Sequence, residues 1–357
     1  MGAGQPLEER SYPLPNSLEP GAILVKISMA TVCGSDMHSW RGRRPFPFPA
    51  VMGHEGVGTI VQLGARVKQD TAGKFLAEGD RIVWAIMANC GDCCFCRIHE
   101  LPQKCVNLYK YGHEKSDVPP YFMGAFGEYI YIQPGTGVFK VPDDMSDEVA
   151  SPLMCAASTV AAGLARIGMK PGENVVIQGA GMLGLYAAAF TREQGAKKVI
   201  TVDVLEKRLE MARQFGADHC LNVQDLGDEE LVARIKELTD GWGTDLAVEV
   251  AGFAKVIPLG VKMLRTGGRY LLQGSIYPDD HFTLASHEVI TKCLTIMGLH
   301  NYDSRYLGLA MDLVHRSQAK YPYQKLTGPR FPLTAKGVTE ALESLEKHES
   351  TRPIVAP

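Results

Sequence analysis

The chain has 357 residues, a formal net charge of −3, 22% charged residues and 45% hydrophobic ones, which leaves room for two domains of about 100–200 residues each. This near-neutral balance, with a pI near 6.4, argues against a nucleic-acid or membrane-surface partner, and no apolar run reaches the roughly 18 residues of a membrane span. Nine cysteines, five of them between positions 90 and 105, are too crowded for a disulfide framework and point to thiolates committed to metal in a reducing compartment, so a cytoplasmic protein is expected.

The first stretch, MGAGQPLEERSYPLPNSLEP, is polar and proline-rich, with no apolar signal core. Pro6 also breaks the myristoylation pattern that Gly2 would begin. From residue 21 to about 150 the texture is β-rich. AILVKISMATV, GVGTIVQLG, DRIVWAIM and GEYIYIQ are short β-branched and aromatic runs between turn formers. The stretch DEVASPLMCAASTVAAGLARIG then reads as helical, reaching the breaker Lys170-Pro171-Gly172 and an apolar strand at 175–178.

Strands and amphipathic helices alternate from there. KKVITVD is a strand, VLEKRLEMARQFGA a helix ending at Gly216, DEELVARIKELTDG a helix, and DLAVEVAG and GGRYLLQG strands. That alternation predicts a doubly wound parallel sheet. Helices at 304–315 and 334–347 close the chain. The fold class expected is α/β: a β-rich domain at 1–155, a nucleotide-binding domain at 156–298 and a C-terminal segment, 299–357, returning to the first domain.

VVIQGAGMLG places Gly179, Gly181 and Gly184 as G-x-G-x-x-G between a strand and an apolar helix. The first glycine permits a tight turn, the second lets backbone approach a pyrophosphate, and the third allows close helix–strand packing. The helix N-terminus offers free N–H groups to phosphates. Asp203, nineteen residues after Gly184 at the end of VITVD, is placed to bind the adenosine ribose. Its carboxylate favours NAD over NADP, with Arg208 a candidate for reaching the cofactor. The bland alternative is a tight turn in an unrelated α/β protein, with Asp203 an ordinary helix cap.

Cys90, Cys93 and Cys96 are spaced by three and Cys105 follows after eight intervening residues. Four thiolates complete tetrahedral zinc, which makes a closed, structural site; an iron–sulfur cluster is the chemical alternative. Cys94 breaks the spacing and reads as a bystander, or a substitute for Cys93. Upstream lie Cys33 in CGSDMH and His54-Glu55 in GHEGVG, with Cys155 at the domain crossover. Singly each residue reads as structural. Together Cys33, His54 and Cys155 would give the three protein ligands and open position of catalytic zinc.

In CGSDMH, GHEGVG, the cysteine cluster and GAGMLG with Asp203, the chain resembles the zinc-dependent medium-chain alcohol dehydrogenases over nearly its whole length. The resemblance implies a GroES-like catalytic domain with an inserted Rossmann domain, a catalytic and a structural zinc, and a homodimer or homotetramer. It implies that Cys33, His54 and Cys155 ligate the catalytic zinc with Glu55 an intermittent ligand. It implies that Ser35 takes the substrate hydroxyl's proton toward His38, that Asp36 orients His54, and that Thr159 contacts the nicotinamide. The gap between Cys96 and Cys105 is one residue longer than is common in the family, and the first 20 residues match nothing in particular.

The substrate implied is a small alcohol, or an aldehyde or ketone in reverse. Arg41, Arg43 and Arg44 in HSWRGRRPFPFPAV suggest an anionic one, paired through an arginine fork; a solvated basic loop is the alternative. LPQKC and KYGHE are similar to a subgroup associated with phosphonate catabolism. Rival readings are a polyol- or threonine-type dehydrogenase, a zinc-free quinone or enone reductase, and a non-enzymatic NAD(P)H-binding protein. Cys220 and Cys293 read as core, and His113, His281, His287 and His300 lack ligand partners at motif spacing.

Overall fold

The structure, a computed structural model, describes residues 5–276 and 279–357. Gly2, on which the myristoylation reading falls, lies outside the described residues. The chain divides into two compact units. One comprises Met1–Ser158, Tyr302–His315 and Tyr323–Pro357, the other Thr159–Asn301 and Arg316–Pro322.

The strands run in chain order as β1 (Ile23–Thr31), β2 (Glu55–Leu63), β3 (Arg81–Ala88), β4 (Tyr109–Lys110), β5 (Tyr129–Ile132), β6 (Thr136–Lys140), β7 (Asn174–Gln178), β8 (Lys198–Asp203), β9 (His219–Asn222), β10 (Thr244–Glu249), β11 (Leu264–Leu272), β12 (Thr295–Gly298), β13 (Arg330–Pro332) and β14 (Ile354–Ala356). In the first unit an eight-stranded sheet has the path β13-β14-β1-β2-β3-β4, with β5 on β1 and β6 on β3. Seven of the nine residues of β1 are buried. Trp84 in β3 is fully buried, a burial worth on the order of 2–3 kcal/mol for an apolar side chain of that class.

The amino-terminal segment that matched nothing in particular is tied to this unit. Glu9 Oε1 accepts the N–H of Ala335 at 2.9 Å, satisfying one of the free donors at the start of the helix Ala335–Glu346. Tyr12 stacks on Tyr121, with ring centroids 4.8 Å apart.

The second unit holds a six-stranded parallel sheet of order β12-β11-β10-β7-β8-β9. This is the doubly wound order, with the strand order reversing between β7 and β10. Val176, Ile200, Val202 and Ala247 form its core with Leu231 and Ile235. Such apolar runs are what a sheet covered on both faces requires. Among the described residues no single helix is long and apolar enough to cross a membrane.

Two expectations change. The segment 299–357 does not return as a whole, since Arg316–Pro322 belongs to the second unit. Tyr321 there stacks on Phe215 and donates its hydroxyl to Glu193. Cys293 is not core: it is exposed and takes a left-handed φ of 51° in the turn before β12. Cys220 in β9 is half-buried.

Candidate active site and metal centres

The antiparallel register of β1 and β2 sets Thr31 opposite Glu55. Cys33 lies two residues beyond the end of β1, and His54 directly precedes β2, so both project from one end of the strand pair. A short helix, Gly34–Trp40, begins at Cys33 and carries Ser35, Asp36 and His38. Asp36 holds this corner together. Its Oδ2 accepts the Cys33 N–H at 2.9 Å and its Oδ1 lies 3.0 Å from His54 Nδ1. With Nδ1 turned to the carboxylate, His54 keeps Nε2 for a ligand, the usual way a ligating imidazole is oriented.

Cys155 follows the 3-10 turn Ser151–Met154. That turn is fastened to the strands by Ser151 Oγ at 2.9 Å from Thr31 Oγ1 and by the Tyr302 hydroxyl, which donates to the Met154 carbonyl. One donor atom each from Cys33, His54, Glu55 and Cys155 lies within 4.8 Å of the others.

The electrostatics of this cluster are those of a buried cation site. Hydrogen bonding from Cys155 holds the Cys33 thiol well below its ordinary range against the opposing effect of burial. Burial resists charging of His54, but the Asp36 carboxylate and Cys33 outweigh it and raise it to about 10. Burial pushes Glu55 up to about 7, with Arg352 opposing.

Arg352 was not singled out from the sequence. It precedes β14, whose Ile354 pairs with Thr31, so the register that seats Glu55 on one side of Thr31 seats Arg352 on the other. Its Nη1 is 3.5 Å from Glu55 Oε1, with both side chains nearly fully buried. His113 is the second residue missed: its ring stands 5.7 Å from that of His54. No motif surrounds Arg352, and only the KYGHE stretch marked the neighbourhood of His113.

Cys90, Cys93, Cys96 and Cys105 form a second group with donors within 4.8 Å of one another. The sulfurs of Cys93 and Cys96 are 3.5 Å apart and those of Cys90 and Cys105 3.4 Å apart, while all four cysteines are unpaired by disulfides. The Val106 backbone N–H draws Cys93 down to about 6, whereas burial and then the neighbouring sulfurs push Cys96 up to about 12. Cys94 is exposed and outside the group.

In the second unit Gly179 has φ +104°, and a Cβ on Gly184 would come within 1.9 Å of the Gly179 carbonyl oxygen. A Cβ on Gly181 would meet nothing within 4 Å. The first and third glycines are therefore demanded by the fold itself, whereas the second borders open space. Asp203 ends β8, accepts the N–H of Ala180 at 2.7 Å and of Leu205 at 2.9 Å, and lies 4.0 Å from Arg208. Thr159 is in the helix Ala156–Ile167, with its carbonyl accepting from Gln273 Nε2 at 2.6 Å.

An alcohol dehydrogenase GroES-like domain matches residues 19–143, and a zinc-binding dehydrogenase domain matches residues 183–316. The chain is 31% identical to a 5-exo-hydroxycamphor dehydrogenase of Pseudomonas putida, over 94% of this chain and 92% of that one. It is 33% identical to an L-threonine 3-dehydrogenase of Pseudoalteromonas translucida (strain TAC 125), over 78% and 76%. An alcohol dehydrogenase from Thermotoga maritima superposes with a TM-score of 0.94 at 32% identity, covering 99% of this chain and 97% of that one. The chain belongs to the zinc-type medium-chain alcohol dehydrogenases. It is an oxidoreductase of that type, with a GroES-like and a Rossmann-type domain.

Both donor sets suit the metal of this family. Four sulfurs make a closed tetrahedral set, and two sulfurs, an imidazole and a carboxylate make an open one. Among the described residues Glu55 Oε1 is buried without a hydrogen bond, its Arg352 neighbour standing off at 3.5 Å, so this oxygen could turn to a metal in the second set. The space at Gly181 is likewise what a pyrophosphate needs at that turn.

A cavity of about 740 Å³ in the first unit is lined by Leu7, Tyr12, Trp40, Phe46, Phe48 and Met52 among others. It includes none of the metal-type donors.

Proposed function

We propose that the protein oxidises an alcohol, or reduces an aldehyde or ketone in reverse, with zinc and NAD. Cys33, His54 and Cys155 would hold the catalytic zinc with Glu55 as the exchangeable ligand, and Cys90, Cys93, Cys96 and Cys105 the structural zinc. Gly179, Gly181, Gly184 and Asp203 would seat the dinucleotide, with Arg208 beside Asp203 and Thr159 toward the nicotinamide. Bound there, zinc would supply Lewis acidity and NAD a hydride acceptor.

The chain's own residues handle the proton. Ser35 accepts it from the substrate hydroxyl, and His38 lies three residues on, on the same face of the helix. Burial, Arg43 and Arg44 hold His38 below its ordinary range, so it stands neutral at pH 7 and is competent as the terminal base. Asp36 keeps His54 and the helix start in register through its two hydrogen bonds. Arg352 balances Glu55 whenever that carboxylate is ionised.

The observation that carries this reading is the convergence of four donors from distant positions at the start of the helix bearing Ser35 and His38. NAD is favoured over NADP by Asp203, whose carboxylate opposes a 2′-phosphate. The nine unpaired cysteines support a reducing, cytoplasmic setting, and family likeness supports a homodimer or homotetramer. A threonine- or polyol-type substrate is the second reading, supported by the 33% identity to threonine dehydrogenase.

The test is metal content together with cofactor reduction by NAD and NADP across a panel of alcohols. Two zinc ions per chain and turnover with NAD are expected. A metal-free protein that reduces enones would favour the zinc-free reductase, and a zinc-loaded protein that turns over nothing would favour a non-enzymatic dinucleotide binder.

A further inference from the structure

The three arginines that follow the Ser35 helix occupy different environments. Arg41 lies over the Trp40 ring at 4.1 Å and grips Glu346 with contacts of 3.0 and 2.6 Å. Arg43 reaches the same carboxylate at 2.8 Å. Arg41 first, and Arg43 with it, holds Glu346 below the usual carboxylate range. These two cations are committed to the helix Ala335–Glu346, which removes them from the substrate fork suggested by the sequence.

Arg44 is half-buried, and among the described residues it has no carboxylate partner. Lys110 in β4 is in the same position. Its backbone N–H donates to Glu114 Oε1 at 3.0 Å, but its ammonium group has no carboxylate partner either. Burial and then Arg44 push Lys110 below its ordinary range, and Cys155, Cys33 and Asp36 are near enough to act on it. Phe46, two residues after Arg44, sets its ring 5.5 Å from that of His113, three residues after Lys110, and His113 in turn lies 5.7 Å from His54, so the two segments that carry these cations meet beside a metal-type donor.

Backbone packing fixes that location. A Cβ on Gly112 would come within 2.4 Å of the Gly53 carbonyl oxygen, so the KYGHE segment runs directly against the loop that presents His54. The Nδ1 of His113 is 3.1 Å from the Tyr111 carbonyl, which can only accept, so Nδ1 carries the proton. Nε2 is left as a buried acceptor with no hydrogen-bond partner among the described residues. Unpaired cations are costly when withdrawn from water, and an anionic ligand would relieve that cost, whereas His113 Nε2 calls for a donor, which an anion does not offer.

We propose that Arg44 and Lys110 are the specificity determinants of this dehydrogenase and bind the anionic group, a phosphonate or carboxylate, of its alcohol substrate. The proposal rests on the alcohol dehydrogenase reading and names the substrate class for that site. The same cation pair accepts either anion, and Arg44 adds a planar fork suited to two oxygens.

The test compares kcat/KM for an ω-hydroxyalkylphosphonate, the corresponding hydroxycarboxylate and the neutral alkanol of equal length. Calorimetry with an alkylphosphonate lacking the hydroxyl gives a second readout. Preference for one or both anions by at least about tenfold is expected. Arg44→Gln and Lys110→Met should each lower that preference ratio by about tenfold or more, while Arg41→Gln leaves it unchanged. Arg44→Gln guards against a folding defect in the more buried Lys110 variant. Equal or better use of the neutral alkanol overturns the proposal. So does an effect of the two variants confined to the NAD requirement, which would assign the cations to the dinucleotide pyrophosphate. If no alcohol is turned over, the parent reading fails, and the calorimetric arm still decides: alkylphosphonate binding lost in Arg44→Gln upholds the anion site, and no binding by the unaltered protein overturns it.

Discussion

Cys90, Cys93, Cys96 and Cys105 come together within sixteen consecutive residues, on a loop where two of them are half-buried and one is exposed. Cys33, His54, Glu55 and Cys155 are gathered from positions 33 to 155, and Arg352 joins them from the far end of the chain. The first group needs little beyond its own loop. The second exists only where β1, β2, β14 and the turn before Cys155 are already in register. A metal in the first can fold its surroundings, whereas the second is preorganised by surroundings that fold without it. Removing a ligand should therefore cost stability in one case and chemistry in the other.

The sharpest way to break this contrast is Cys155→Ala. Zinc should fall from two ions per chain to one, and kcat/KM by at least roughly 10²–10³-fold, with Tm little changed. Elemental analysis, turnover and a thermal melt on one preparation decide it. A large drop in Tm without loss of metal would mean that Cys155 is a packing residue and that the contrast is wrong.

Asp36→Asn probes the preorganisation itself. The amide keeps the shape of the carboxylate but loses its charge on His54, so zinc affinity at this site should weaken by about 10–100-fold. Competition with a chromophoric chelator measures it. The four-cysteine site in the same molecule serves as the internal standard and should not move.

The same division explains what could be read from the sequence. The four-cysteine spacing is local, so its grouping was legible from positions alone, as were the glycines before the helix Met182–Glu193. The alternation of apolar strands with helices gave away the parallel sheet, but β4, β6, β9 and β12–β14 were not picked out. They are two to five residues long, too short for periodicity to register. Arg352 was hidden for the same reason. Nothing around TRPIV marks a charged residue as buried, and only the pairing of β14 with β1 carries it to Glu55. Arg41, Arg43 and Arg44 looked alike in the sequence because Glu346, some 300 residues away, is what separates them.

Cys105→Ser addresses the other half of the contrast. Cys105 is 5% exposed, and its sulfur accepts the N–H groups of Cys90 and Asn107, each at 3.3 Å. Its loss should release one zinc and lower Tm by roughly 5–10 °C, with kcat per folded chain little changed. An equal fall in kcat at unchanged Tm would give this lobe a chemical role that a closed four-sulfur site has no open position to perform.

The smallest effect is expected from Cys94→Ser, beside a residue for which the same change should matter. Cys93 Sγ lies 3.5 Å from Cys96 and 3.9 Å from Cys105. Cys94 is the first residue of the helix Cys94–Arg97, exposed and outside the donor group. A helix turns successive side chains by about 100°, so one position is enough to swing a sulfur off the metal. Cys94→Ser should leave two zinc ions per chain and shift Tm by no more than about 2 °C, whereas Cys93→Ser should lose one ion. Retention of both ions by Cys93→Ser, together with their loss in a Cys93→Ser, Cys94→Ser double variant, would mean that the loop rewinds to bring Cys94 in. The lobe would then be ordered by its metal rather than by its backbone, which is the property that sets it apart from the catalytic centre.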